Sequence, residues 1–194
     1  MANLLAAHSV GSSLIAYLRN SYPDDLRARH PCDFRLLSSG ELAGNDDFGT
    51  LVSLYLYRVT QSEHLRNVPR RNDPFDAPVP LAIDLHYLLT VWADSAVAEH
   101  TILAWAMRQL HDRPILDVGA LSPEAGWIPA DFVQIIPAEL SNEDVMRIWD
   151  ALDPAYRLSV SYVARTIRID PDQSPVGRPV VAARLSFRER AAAP

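Results

Sequence analysis

Residues 81–92, Leu81-Ala82-Ile83-Asp84-Leu85-His86-Tyr87-Leu88-Leu89-Thr90-Val91-Trp92, decide the fold. Leu81, Ile83, Leu85, Tyr87, Leu89 and Val91 point one way, and Asp84, His86, Thr90 and Trp92 the other. A period of two marks a half-buried strand. Directly after it the period becomes helical. Over residues 95–110, Ala96, Leu103, Ala106, Met107 and Leu110 form an apolar face that Ile102 and Trp105 widen, with Ser95 or Asp94 available as cap. A helix this apolar is expected to be covered on more than one side. His100, Arg108 and His111 share its polar flank.

Upstream, Thr50 to Val59 is the clearest further strand. Val52, Leu54 and Leu56 share one face, and Leu51, Tyr55, Tyr57 and Val59 the other, the pattern of an interior strand covered on both sides. Residues 3–19 read as a helix with Asn3 as cap, and Gly11 on its apolar face permits a close approach. Between them, Phe34, Leu36 and Leu37 suggest a short strand. Ser38-Ser39-Gly40 and Gly44-Asn45-Asp46-Asp47 are turn and loop chemistry. Residues 66–80 carry Pro69, Pro74, Pro78 and Pro80, with Arg66, Arg70 and Arg71 at their start. Such a segment is neither helix nor central strand, and is expected as an exposed loop or arm.

Downstream, 116–129 is irregular and 132–136 a short strand. Ser141 caps a helix whose stripe is Val145, Ile148, Trp149 and Leu152. Residues 156–169 form a long strand whose inward phase changes near Tyr162 and Val163, as at a bulge, a bend or a strand that extends beyond the sheet. Val181, Ala183, Leu185 and Phe187 alternate in a final strand. The expected architecture is one α+β domain over residues 1–190. Its mixed, mainly antiparallel sheet is packed with about three helices, and 66–80 is a loop or arm within it.

Composition narrows the function classes. The chain has 194 residues, 48% hydrophobic and 22% charged, the profile of an ordinary globular domain. With 18 basic against 24 acidic residues, its charge of -6 argues against a dedicated nucleic-acid binder. A single cysteine, Cys32, excludes an internal disulfide framework and a cysteine-rich metal site. No stretch has the apolar length of a membrane span, and no signal-peptide pattern opens the chain. The expectation is a soluble domain kept in a reducing compartment.

Catalytic signatures are sparse. Glu99-His100 lacks the second histidine of a zincin helix. Asp84 and His86 share a strand face, but no serine in a nucleophile elbow accompanies them. Residues 40–49 lack the lysine and hydroxyl of a phosphate loop and the spacing of a calcium loop. Cys32 has no neighbouring signal of a lowered thiol pKa. No catalytic residue, metal or cofactor is expected. Trp92 is the aromatic to single out: it lies on the Asp84–His86 face, where it serves either core packing or a protein contact.

Several segments together resemble one family. They are Leu54-Tyr55-Leu56-Tyr57-Arg58-Val59, Leu65-Arg66-Asn67, the run from Pro80 to Thr90 continuing to Glu99-His100 and Leu103, Leu140-Ser141-Asn142-Glu143-Asp144 with Ile148-Trp149, and Tyr156 to Tyr162. Their order and spacing resemble the N-terminal domain of cap, or tail-terminator, proteins of phage-tail-like contractile injection systems. The resemblance implies the tail-terminator fold and a structural, non-enzymatic subunit. Such a subunit assembles in the cytoplasm as a homo-oligomer, a hexameric ring closing the distal end of the inner tube and sheath. It implies sheath and inner-tube partners, and neither nucleic acid nor membrane. The family's longer members carry a further C-terminal region. The alternatives are another tail adaptor or connector subunit, or a small hydrolase using Asp84 and His86. The candidate interface residues are Arg66, Arg70, Arg71, Asp84, His86 and Trp92.

Overall fold

The computed structural model describes residues 2–43, 47–63, 79–152 and 154–171. Its elements run α1 (Ala6–Ser21), α2 (Asp24–Arg29), β1 (Asp33–Leu37), α3 (Ser39–Leu42), β2 (Leu51–Gln61), β3 (Leu81–Trp92), α4 (Ala96–Asp112), β4 (Ile115–Asp117), a 3-10 turn at Pro123–Ala125, β5 (Phe132–Pro137), α5 (Asn142–Asp150) and β6 (Ser159–Ile169). The six strands form one sheet in the order β1-β2-β3-β6-β5-β4. β1 pairs parallel with β2, and every other pair is antiparallel. The fold is therefore α+β with a mixed, mainly antiparallel sheet, as expected from the sequence.

One face of the sheet carries the main core. Val10, Leu14 and Leu18 of α1 and Ile102, Ala106 and Leu110 of α4 pack there with Val52, Leu54, Leu85, Tyr87, Leu89, Ile135 and Ala164. Gly11 explains how α1 comes so close. A Cβ there would stand 2.9 Å from both Leu36 methyls and 3.2 Å from the Tyr87 hydroxyl. That hydroxyl instead donates to the Ala7 carbonyl at 3.1 Å. α4 starts where expected, with the Ser95 hydroxyl accepting the Ala98 N–H. Met107, placed on the apolar face by the sequence, is exposed.

The opposite face carries a smaller core of Leu37, Leu42, Leu51, Leu88, Trp92 and Trp149. Here the structure corrects the half-buried reading of 81–92: from Tyr87 to Trp92 every residue of β3 is buried. α5 covers that end, through Trp149 and the partly buried Val145, Ile148 and Leu152.

Other expectations also shift. Two short helices, α2 and α3, precede β2, and α3 takes the place of the turn expected at Ser38-Ser39-Gly40. α3 is closed by a capping box in which Ser38 and Glu41 satisfy each other's backbone N–H. Asn3 does not cap α1; its side chain accepts the Leu5 N–H one turn before the helix. β4 overlaps the start of the stretch read as irregular. The phase change in β6 falls at Arg165–Thr166, where two residues oppose Asp84 alone, rather than near Tyr162. The final strand expected at 181–188 lies outside the described residues.

Candidate interface on the open sheet face

β3 carries the candidate residues, and two bulges aim them. On β2, Tyr57 is the extra residue between Leu56, opposite Tyr87, and Arg58, opposite His86. On β6, Arg165 and Thr166 together oppose Asp84. Bulges bend the ladder and re-aim side chains, and these two bracket Asp84 and His86. The result is a patch on the sheet face away from α1 and α4.

His86 lies opposite Arg58 on β2 and Val163 on β6. Its Nε2 is 3.1 Å from Thr60 Oγ1, and its ring meets Tyr57 edge-on at 6.0 Å. Its pKa is lowered, chiefly because burial disfavours the imidazolium and secondarily because Arg58 is near. Asp84 pulls the other way. Asp84 pairs with Thr60 across the ladder. Its Oδ1 is buried without a hydrogen-bond partner among the described residues.

The two residues share a face but form no hydrogen-bonded acid–histidine pair among the described residues. The hydroxyl that engages His86 belongs to Thr60, on the neighbouring strand. No group of three or more His, Cys, Asp or Glu side chains able to hold a metal occurs among the described residues.

Trp92 belongs to a different place. It shares the strand face with His86, but six residues of strand, about 20 Å, separate them. It is 3% exposed. Its indole N–H donates to Ser53 Oγ at 2.8 Å, in a buried bond. Phe48 lies 4.7 Å away and Trp149 5.9 Å, and the Arg157 guanidinium stands 5.6 Å from its ring centroid. Within the subunit it is the centre of the α5 core. Arg66, Arg70 and Arg71 lie outside the described residues.

Sequence reading missed Arg58 and Arg165 as members of the open patch. The register that seats Arg58 beside His86 depends on the Tyr57 bulge, which leaves no mark in the residue pattern. Trp149 was legible as part of the α5 stripe, but not as the partner of Trp92.

Beyond the patch, β5 and β4 extend the same uncovered face. Leu116 and Val133 point to the main core and are fully buried. Their neighbours Ile115, Phe132 and Gln134 therefore point outward, and all three are exposed. No helix among the described residues is long and apolar enough to cross a membrane.

The chain is similar over more than nine-tenths of its length to two solved structures. One is the sheath/tube terminator, in the extended state, of an extracellular contractile injection system, PVC. The TM-score is 0.58 at 21% identity, covering 95% of this chain and 64% of that one. The other is the tube-terminating cap of the anti-feeding prophage, with a TM-score of 0.55 at 16% identity, covering 93% of this chain and 59% of that one. At such identities the likeness is one of fold. No curated protein matches the sequence. The model of one family, the Pvc16 N-terminal domain, matches residues 9–183. That span includes every described strand, the smaller core, nearly all of the main core and the bulged centre of the sheet, and the chain belongs to the Pvc16 N-terminal domain family.

Proposed function

We propose that this chain is a structural cap subunit. It closes the distal end of the tube and sheath of a phage-tail-like contractile particle as a hexameric ring assembled in the cytoplasm. The observation that carries the reading is the family match across residues 9–183. The fold shared with a sheath/tube terminator and a tube-terminating cap supports it. A ring ends a polymer because its subunits satisfy one another through closed heterologous contacts and leave no free site for the next layer.

In this reading Arg66, Arg70, Arg71, Asp84 and His86 contribute to contacts with neighbouring subunits, sheath or tube. Arginine suits such contacts because its planar fork pairs bidentately with carboxylates. Trp92 contributes from beneath, by holding α5 on the sheet. Residues 66–80 act as an arm of the single domain 1–190.

The test is electron microscopy of particles made with and without this chain alongside their own tube and sheath proteins. The expected result is particles of uniform length with six copies of this chain at the distal end, and tubes of scattered length when it is omitted. Density at the opposite end, or along the shaft, would assign an adaptor role instead and overturn the proposal.

A further inference from the structure

α5 holds to the Trp92 end of the sheet by one buried side chain. Among the described residues it buries only Trp149, whereas α4 buries Ala98, Ile102, Leu103, Trp105, Ala106 and Leu110. Val145 and Ile148 of α5 are half-buried, and Met146 is exposed. The polar contacts of α5 stay local. Ser141 caps it by accepting the Asp144 N–H, and the exposed Arg147 pairs with Glu143 at 2.6 Å, one turn back. Among the described residues, no hydrogen bond of α5 reaches the sheet, and Nε1 of Trp149 is buried without a partner. Docking therefore strips this donor of water and returns nothing for it. A nine-residue helix is marginal by itself in water, so the helix and its docking stand or fall together.

The two ends of this connection are held without it. α5 lies between β5 and β6, which are neighbours in the sheet. Before α5 begins, Pro137 opposes Tyr162, and the Ala138 N–H donates to the Ser161 carbonyl at 2.9 Å. After it, β6 starts at Ser159 opposite Thr90 of β3, their hydroxyls 2.9 Å apart. α5 is thus the loop of a hairpin whose base stays paired in its absence. Moving it breaks no strand pairing, and the main core lies on the other side of the sheet.

We propose that α5 is a latched lid, with Trp149 as the latch. It opens as a unit and uncovers Leu51, Leu88 and Trp92, while the six-stranded sheet and the main core stay folded. Units that bury few apolar side chains open at a lower free energy than the whole molecule. The lid is a property of the isolated subunit, so it stands apart from the cap reading.

Amide hydrogen exchange of the full chain over a series of low urea concentrations tests this. In the wild type, α5 amides are expected to exchange at least about tenfold faster than the slowest amides of β3 and α4. Their rates are expected to rise less steeply with urea, because opening exposes less surface than unfolding. Two variants sharpen the test. Ser95→Ala removes the cap of α4, which stays folded when the lid opens. It is expected to speed the slowest β3 and α4 amides about fivefold and to leave the α5 rates unchanged. Trp149→Ala is expected to strip α5 of protection while β3, β5 and β6 remain protected.

α5 amides as slow as the slowest of β3 in the wild type would overturn the proposal. So would α5 amides that accelerate together with β3 and α4 in Ser95→Ala, or a Trp149→Ala subunit whose sheet no longer folds.

Discussion

Trp92 shows how a side chain on the candidate face can serve the core instead. Its ring meets Phe48 and Trp149, its N–H is taken by Ser53, and Arg157 lies over it. Trp92→Ala is expected to cost the isolated subunit about 3–5 kcal/mol, read by urea denaturation. An unchanged midpoint with failed assembly would instead place the indole at a contact. His86 gives a pH-dependent counterpart. Its folded-state pKa lies below the ordinary 6.5 because burial and Arg58 disfavour the cation. The unfolded chain therefore binds the proton more readily, and the stability held above 6.5 is lost as pH falls through the folded value. His86→Gln is expected to flatten the stability profile from about pH 6.5 downward. An unchanged profile would show that His86 does not govern it.

At the scale of elements, the same strand is read differently along its length. β3 pairs with β2 and β6 throughout, but its C-terminal half lies under α5 while its N-terminal half meets the open patch, with the two bulges at the boundary. The next element, α4, depends on a good start, because its buried residues begin in the first turn, at Ala98. Ser95 supplies that start by accepting the Ala98 N–H at 3.2 Å. Ser95→Ala is expected to destabilise the subunit by about 1 kcal/mol, measured by thermal or urea unfolding, with Ser95→Asp restoring most of it. The edge strand β1 is sealed. Its Phe34 carbonyl accepts from Arg19 at 2.6 Å, and its Phe34 N–H donates to Asp33 at 2.9 Å. An edge backbone group that is already occupied is not free to pair with another chain, and at Phe34 both are.

At the scale of the whole molecule, the layering is uneven. α1 and α4 cover one side of the sheet, and α5 covers part of the other. A ring subunit needs two different complementary surfaces, one for each neighbour. The acidic balance, -6, keeps free subunits mutually repulsive, while Arg58 and Arg165 give the outer sheet face a local basic character.

The sequence by itself determined what depends on neighbours along the chain. The alternation of 81–92, the helical period and cap of α4, the Ser141 start of α5 and the presence of a strand at 50–59 are all written in local spacing, and the family resemblance rests on the same segments; that the strand is buried on both faces only over Leu51–Leu54, with Val59 exposed, is not. Tertiary structure decided what depends on residues distant in sequence. Alternation places Asp84, His86 and Trp92 on one face, but only the docking of α5 makes one end of that face a core. Only the bulges at Tyr57 and Arg165–Thr166 bring Arg58 beside His86 and set two β6 residues against Asp84. A bulge is a mismatch between two strands, and neither strand's own sequence records its partner's register. Likewise, the exposure of Met107 and Phe132 could not be read from their hydrophobicity, because burial depends on which elements the rest of the chain can bring to cover them.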